Sequence, residues 1–545
     1  MFRLSPLQSL LTLLVAIVAP CSMAAAQSTT RSSVSTLGAE GDLASGAPSI
    51  SANGQFIAFS SDASTLVSGD TNGVSDIFLH DRVNGTTLRV SVTSAGLEGT
   101  DASTSPMICS DARFIVFESS ATDLVPNDNN GALDIFIHDL LSGTTQRISL
   151  SSTNQEGNGD STHPQTSADG RYVTFESLAD NLVGGDSNAA RDVFVRDLLT
   201  GVTRRASVNT AGVEGGAASC EPSISDDARF VAFRSAATNL VLGDTNGKLD
   251  IFVHDVLMGE TTLISDGLSG AQSNDDSHHP SISASGRFVA FESLADNLAA
   301  GDTNLSSDVF VRDRLTGVTE RESLNSTGAE GNLASHAPEI SPGGRYVTFT
   351  SFADDLVAGD LNGVSDAFCC DRLRGATTRV SVDSLDVEGD GASSHASISA
   401  DCRYVAFESA STNLVGSDLN AVADVFVRDR GAAAAVSVDT IVLSCEVFLT
   451  AGVSTRLAWC NAPVSTPWWL LYSPNNLGTS FSSHPFGVGP GVTVLASGAN
   501  NSEGTGSLVS PPIPPALSGQ TIYLEVASRL GSDFFESNTI ERSVQ

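Results

Sequence analysis

The clearest pattern in the chain is a pair of apolar runs that keeps returning. Phe56 to Ser61 (FIAFSS) is dense in aromatic and β-branched residues. Asp76 to Asp81 (DIFLHD) alternates, with Ile77 and Leu79 on one face of an extended strand and Phe78 on the other. Moving 58 positions on from Phe59, Ser61, Leu66, Asp70, Asn72, Asp76, Phe78 and Asp81 finds the same residue types again. The match runs through seven copies with no insertion. A register this strict over about 350 residues makes each repeat one structural unit of fixed size.

One repeat predicts four strands. Ala47 to Ser51 (APSIS) is the first and innermost, followed by a turn at Ala52 to Gln55. Phe56 to Ser61 is the second. A polar loop, Asp62 to Ser75, leads to the third at Asp76 to Asp81. Asn84-Gly85 makes a hairpin turn, and Thr87 to Val92 is the fourth strand. The crossing loop Gly96-Leu97-Glu98-Gly99 opens the next repeat. The predicted fold class is all-β: a seven-bladed β-propeller of four-stranded blades over residues 27–440. Thr29 to Gly41 stands in register with Thr87 to Gly99, one period upstream. It therefore predicts a closing strand, at about residues 28–36, that completes the last blade. Ala435 to Val438 is the rival for that place.

Residues such as Ser167-Ala168-Asp169-Gly170-Arg171-Tyr172-Val173-Thr174-Phe175, followed by Asp192-Val193-Phe194-Val195-Arg196-Asp197, resemble the WD40-like repeat of TolB-type propellers. The resemblance covers about residues 28–440. It implies a propeller that binds other macromolecules in the periplasm. Related propellers accompany peptidase domains or form part of polysaccharide lyases. This chain departs from TolB in having seven repeats and a longer Asp/Asn-rich second loop. TolB itself has six blades and a different N-terminal domain, so its partners do not carry over.

The ends of the chain read differently. Arg3, the apolar run Leu10 to Ala19 and Ala24-Ala25-Ala26 form a secretory signal pattern over residues 1–26, with cleavage near Ala26. The run is too short to span a membrane. Pro20 before Cys21 fits lipoprotein processing poorly. The expectation is a secreted or periplasmic protein. Seven cysteines then remain (109, 220, 369, 370, 402, 445 and 460), so at least one lacks a partner within the chain. Cys445 with Cys460 is the disulfide candidate. Residues 441–545 break the period, hold Trp459, Trp468, Trp469 and the proline cluster Pro511 to Pro515, and predict a small β-sandwich-like accessory domain.

Charge narrows the partners. Asp and Glu number 63 against 28 Lys and Arg, a net charge of −35, and Lys248 is the single lysine. Such a surface repels phosphate backbones and anionic membranes, excludes nucleic-acid binding and attracts cations.

Strand parity places the long second loops and the crossing loops on one face of the disc. The long loops carry Asp-x-Asn and a later Asp in every repeat: Asp70, Asn72, Asp76; Asp128, Asn130, Asp134; Asp186, Asn188, Asp192; Asp244, Asn246, Asp250; Asp302, Asn304, Asp308; Asp360, Asn362, Asp366; Asp418, Asn420, Asp424. The crossing loops add Glu98 and its counterparts, with Gln272 as the exception. Two readings stand side by side: oxygen ligands for Ca²⁺, or side chains that cap their own turns.

Histidines also fall in register. His163, His279 and His395 share a position just before the innermost strand, and His278 and His336 precede it by one residue. All five are candidate ligands at the channel mouth. Seven-bladed oligogalacturonate lyases hold a metal with channel histidines and a glutamine, so a polysaccharide lyase or hydrolase at that mouth is the rival function. Familiar catalytic signatures (G-x-S-x-G, H-E-x-x-H, G-x-x-x-x-G-K) are missing, and the blades are uniform. The favoured reading is a non-catalytic, monomeric binding or interaction scaffold with a protein or glycan partner, no catalytic residues, and Ca²⁺ as the one cofactor considered.

Overall fold

A computed structural model describes residues 27–431, and beyond them the backbone of strands between Thr440 and Ser543. The signal pattern of residues 1–26 and the rival closing segment Ala435 to Val438 lie outside the described residues. So do the side chains of the tryptophans. The strand carrying Cys445 pairs with the one carrying Cys460, Cys445 opposite Leu457 and Cys460 opposite Val442. Their side chains, and with them the proposed disulfide, also lie outside.

Seven four-stranded antiparallel sheets follow one another. The first is built from Ser45–Ile50, Phe56–Ser61, Asp76–Asp81 and Thr86–Arg89. Its counterparts begin at Ser103, Ser161, Ser219, Ser277, Ser335 and Ser393. The seventh sheet takes its fourth strand from the other end of the chain: Ser28–Arg31 pairs with Asp424–Asp429, Ser28 opposite Asp429 and Arg31 opposite Phe426. The N-terminal strand therefore closes the predicted seven-bladed propeller.

Each first strand starts on a serine because that hydroxyl is used. Ser45 Oγ donates to Ser61 Oγ at 2.8 Å, and the pair recurs in every blade through Ser393 and Ser409. The third strand is buried on both faces, since each blade is covered by two neighbours. Phe78 packs with Phe59 and with Val425 and Val427 of blade seven. Ile77 and Leu79 pack with Ile115 and Phe117 of blade two. Within each blade two phenylalanines stack, Phe59 on Phe78 at 5.9 Å and so on to Phe407 on Phe426. Each such buried ring contributes about 1.5–3 kcal/mol.

On the face opposite the long loops, the innermost turns are tied round the axis by backbone bonds. Ala52 N donates to Ser110 O, Ser110 N to Ala168 O, Ala168 N to Asp226 O, Asp226 N to Ala284 O, Ala284 N to Pro342 O, and Ala400 N back to Ala52 O. The missing seventh bond falls at Pro342, which has no N–H to donate.

Candidate functional site

The long loops and crossing loops meet on one face, as parity requires. Glu98 accepts from Thr71 N at 2.8 Å and Asn72 N at 2.9 Å, which locks the crossing loop to the long loop of its own repeat. The Asp70, Asp76 and Glu98 carboxylates come together there, and so do their equivalents around Asp186, Asp302, Asp360 and Asp418.

The cation among these acids is an arginine of the fourth strand. Arg89 Nη1 lies 3.0 Å from Asp76, 2.9 Å from Glu98 and 3.6 Å from Asp70. Arg147, Arg205, Arg321, Arg379 and, in blade seven, Arg31 take the same place. Only blade four lacks one. The asparagines cap their turns: Asn72 Oδ1 accepts from Val74 N, and its Nδ2 donates to Asp76 and to Gly99 O. Asn130, Asn188, Asn246, Asn304, Asn362 and Asn420 likewise turn their amide N–H at the neighbouring aspartate. Burial pushes Asp186, Asp302 and Asp360 up to about 6. Burial opposes the shift at Glu98, but the bonds from Thr71 hold that carboxyl down at about 2.

Nearer the axis, the innermost strands build a different arrangement. Their third residue sits in a bulge with positive φ in every blade, although none is glycine: Ala47, Ser105, His163, Glu221, His279, Ala337 and His395, between 48° and 54°. Non-glycine residues rarely adopt this conformation, so the surroundings must hold it. In five of the seven blades a glutamate of the preceding blade does so; blades one and six carry Ser60 and Thr350 at that place, before Ser105 and His395. His163 N donates to Glu118 at 3.1 Å, Glu221 N to Glu176 at 2.7 Å, Ala337 N to Glu292 at 2.7 Å and Ala47 N to Glu408 at 3.1 Å. His279 N donates to Glu221 at 2.8 Å, because Arg234 replaces the glutamate in blade four.

The histidines thus lie within the innermost strand and not before it: His163, His279 and His395 two residues after its start, His278 and His336 one residue after it. The strand begins earlier than its apolar run, at the Ser45 type of position. Three imidazoles each face a glutamate of their own blade: His163 Nδ1 to Glu176 at 3.3 Å, His279 to Glu292 at 3.1 Å and His395 to Glu408 at 3.4 Å. Their side chains are 52–61% exposed. Hydrogen bonding to the carboxylates raises the pKa of all three. His336 lies 3.7 Å from Glu292 and stands edge-on to the half-exposed Phe352. His278 approaches Arg234 at 2.7 Å, and burial lowers its pKa. Among the described residues, none of these histidines joins two further ligands closely enough to hold a metal.

Sequence reasoning missed the arginines and these glutamates. Their signal is recurrence at 58 residues, as in Arg31, Arg89, Arg147, Arg205, Arg321 and Arg379.

No family model matches the chain, and the search of curated proteins gives no match. Solved structures with similar folds include a TolB-type protein of Agrobacterium tumefaciens. It is 18% identical over 51% of this chain and 80% of that one, with a TM-score of 0.33. The WD40 repeats of RRP9 are 9% identical over 74% of this chain and 97% of theirs, at 0.38. A GH74 enzyme of Niastella koreensis is 11% identical over 95% of this chain and 75% of that one, at 0.39. The protein is a seven-bladed β-propeller. Its seven four-stranded sheets and the pairing of Ser28–Arg31 with Asp424–Asp429 show the fold by themselves. Among the described residues, no helix is long and apolar enough to cross a membrane.

Proposed function

We propose that this propeller is a binding or interaction module that takes a protein or glycan partner at the channel mouth on its long-loop face. One observation carries the reading: glutamates of five blades (Glu118, Glu176, Glu221, Glu292 and Glu408), each bonded to a backbone N–H of the next blade's bulge, lie beside half-exposed imidazoles. A rigid array of acceptors and donors suits recognition of a partner rich in hydroxyl or cationic groups. Elsewhere on that face, in six of the seven blades, an arginine already sits among the clustered carboxylates. Export is part of the proposal. Gln27 Oε1 accepts from Arg428 at 2.6 Å, so cleavage near Ala26 would leave the closing strand intact.

A second reading, a polysaccharide lyase or hydrolase, draws on the His279–Glu292 pair, which has the chemistry of a general acid and base. Against it, the same pair recurs as His163–Glu176 and His395–Glu408 in alternate blades. A catalytic site needs unlike groups converging on one atom. The experiment is an array of glycans and peptides probed with the chain from Gln27 onward, beside a turnover assay on polyuronates. Saturable binding without turnover supports the module. Turnover that is lost in His279→Ala establishes the enzyme instead.

A further inference from the structure

Blade four departs from the acidic clusters of its neighbours at two positions at once. Leu263 stands where the other blades place arginine, and Gln272 stands where they place glutamate. The two aspartates are retained. Asp250 is fully buried. Its Oδ1 accepts from Ser265 at 2.6 Å and Ser273 at 2.9 Å, and its Oδ2 accepts from Asn246 at 2.8 Å.

Asp244 is only 8% exposed, and its Oδ1 is buried with no hydrogen-bond partner. The same oxygen is unpartnered in Asp128 and Asp418, but there a guanidinium reaches the carboxylate, at 3.0 Å from Arg147 and 3.3 Å from Arg31. Among the described residues, no guanidinium or ammonium group reaches Asp244, which keeps a backbone hydrogen bond from Asn246. Lys248, on the same loop, is committed to Asp275 at 2.6 Å.

Gln272 replaces part of what was lost. Its Oε1 accepts from Thr245 Oγ1 at 3.0 Å, as Glu98 accepts from Thr71. Its Nε2 donates to Gly243 O at 2.9 Å, taking over the bond that Arg89 gives Gly69 O. The formal charge is −2 in either arrangement: three carboxylates and a guanidinium, or two carboxylates alone. What disappears is the positive group between the aspartates.

We propose that blade four binds one hard divalent cation of the Ca²⁺ class between Asp244 and Asp250, in the place that a guanidinium fills in the other six blades. Two carboxylates supply the charge such an ion requires, and water completes its oxygen shell. The ion ties the long loop to the third strand, as arginine does elsewhere. The Asp/Asn loops therefore give one cation site and not seven.

The test uses the chain from Gln27 to Gln545, freed of metal by chelator and titrated with Ca²⁺ by calorimetry, with melting curves alongside at matched ionic strength. One ion per chain and a higher melting temperature in Ca²⁺ are expected. Asp244→Asn should weaken binding at least tenfold, and Asp186→Asn should leave it unchanged. Leu263→Arg with Gln272→Glu rebuilds the arrangement of the other blades, so it should fold and melt independently of Ca²⁺. Binding of several ions, binding that survives in the rebuilt variant, or no binding at all would each overturn the proposal.

Discussion

Arg428 donates to the hydroxyl of Thr29 at 3.2 Å, joining residues 399 positions apart. Around that contact the first and last described strands of the propeller lie side by side, so Asp424–Asp429 is paired on both edges like the third strand of every other blade. Deleting residues 27–41 should strip the strand from Asp424–Asp429 and expose its ladder. Open edges recruit other chains. Size-exclusion chromatography should show aggregates, with a broadened and lower melt. A deletion variant with the parent's elution volume and melt would mean that another segment closes the ring.

The buried arginines hold the loop face together. Arg205 lies 3.0 Å from Asp192 and 3.8 Å from Asp186, and it is 6% exposed. Arg205→Met leaves buried carboxylates without their cation, a change that costs about 3–5 kcal/mol. Urea denaturation should report a loss of that size near pH 8. The loss should shrink as the pH falls. Burial raises Asp186 to about 6, above its unfolded value of 3.8. A carboxyl raised in this way adds stability that is fully present below the unfolded pKa and is lost as the pH rises through the folded one. Wild-type stability should therefore gain from Asp186, Asp302 and Asp360 between pH 8 and 5.5, and each Asp→Asn substitution should flatten that gain.

Two histidine classes should separate in solution. Hydrogen bonds to Glu176, Glu292 and Glu408 raise His163, His279 and His395. Burial lowers His80, His138 and His254, whose Nδ1 atoms bond Thr87, Thr145 and Thr261 on the neighbouring strand of the same blade. NMR titration should find the first three above the ordinary histidine value and the second three below it. The raised class contributes stability below its unfolded pKa that is lost as the pH rises. Glu292→Gln should bring His279 back down without moving His163.

Much of this architecture is legible from the strand runs alone, because burial on both faces forces the same apolar residues into every repeat. Strand ends were harder. The fourth strand stops at Arg89, since Val90 N turns to Ile77 O and Ser91 Oγ bonds Asp76, closing the blade from outside the ladder. The bulge at His163 was invisible, because nothing in a non-glycine residue signals a positive φ. In the sequence Arg89 is one polar residue on a short outer strand. Its meaning appears only once the folded loops bring Asp76 and Glu98, 13 and 9 residues away in sequence, onto the same guanidinium nitrogen. Its absence at Leu263, together with Gln272, was readable as a paired substitution.

The most direct test of the binding reading is the affinity of an array-selected partner for variants of the two opposite faces. His279→Ala with Glu292→Gln alters the mouth. Leu141→Ser with Leu199→Ser alters exposed side chains of the far hairpins, which are 78% and 75% exposed. The account predicts that the mouth variant loses at least tenfold in Kd, about 1.4 kcal/mol, while the hairpin variant binds as the parent does. Unchanged affinity in the mouth variant with loss in the hairpin variant would contradict it.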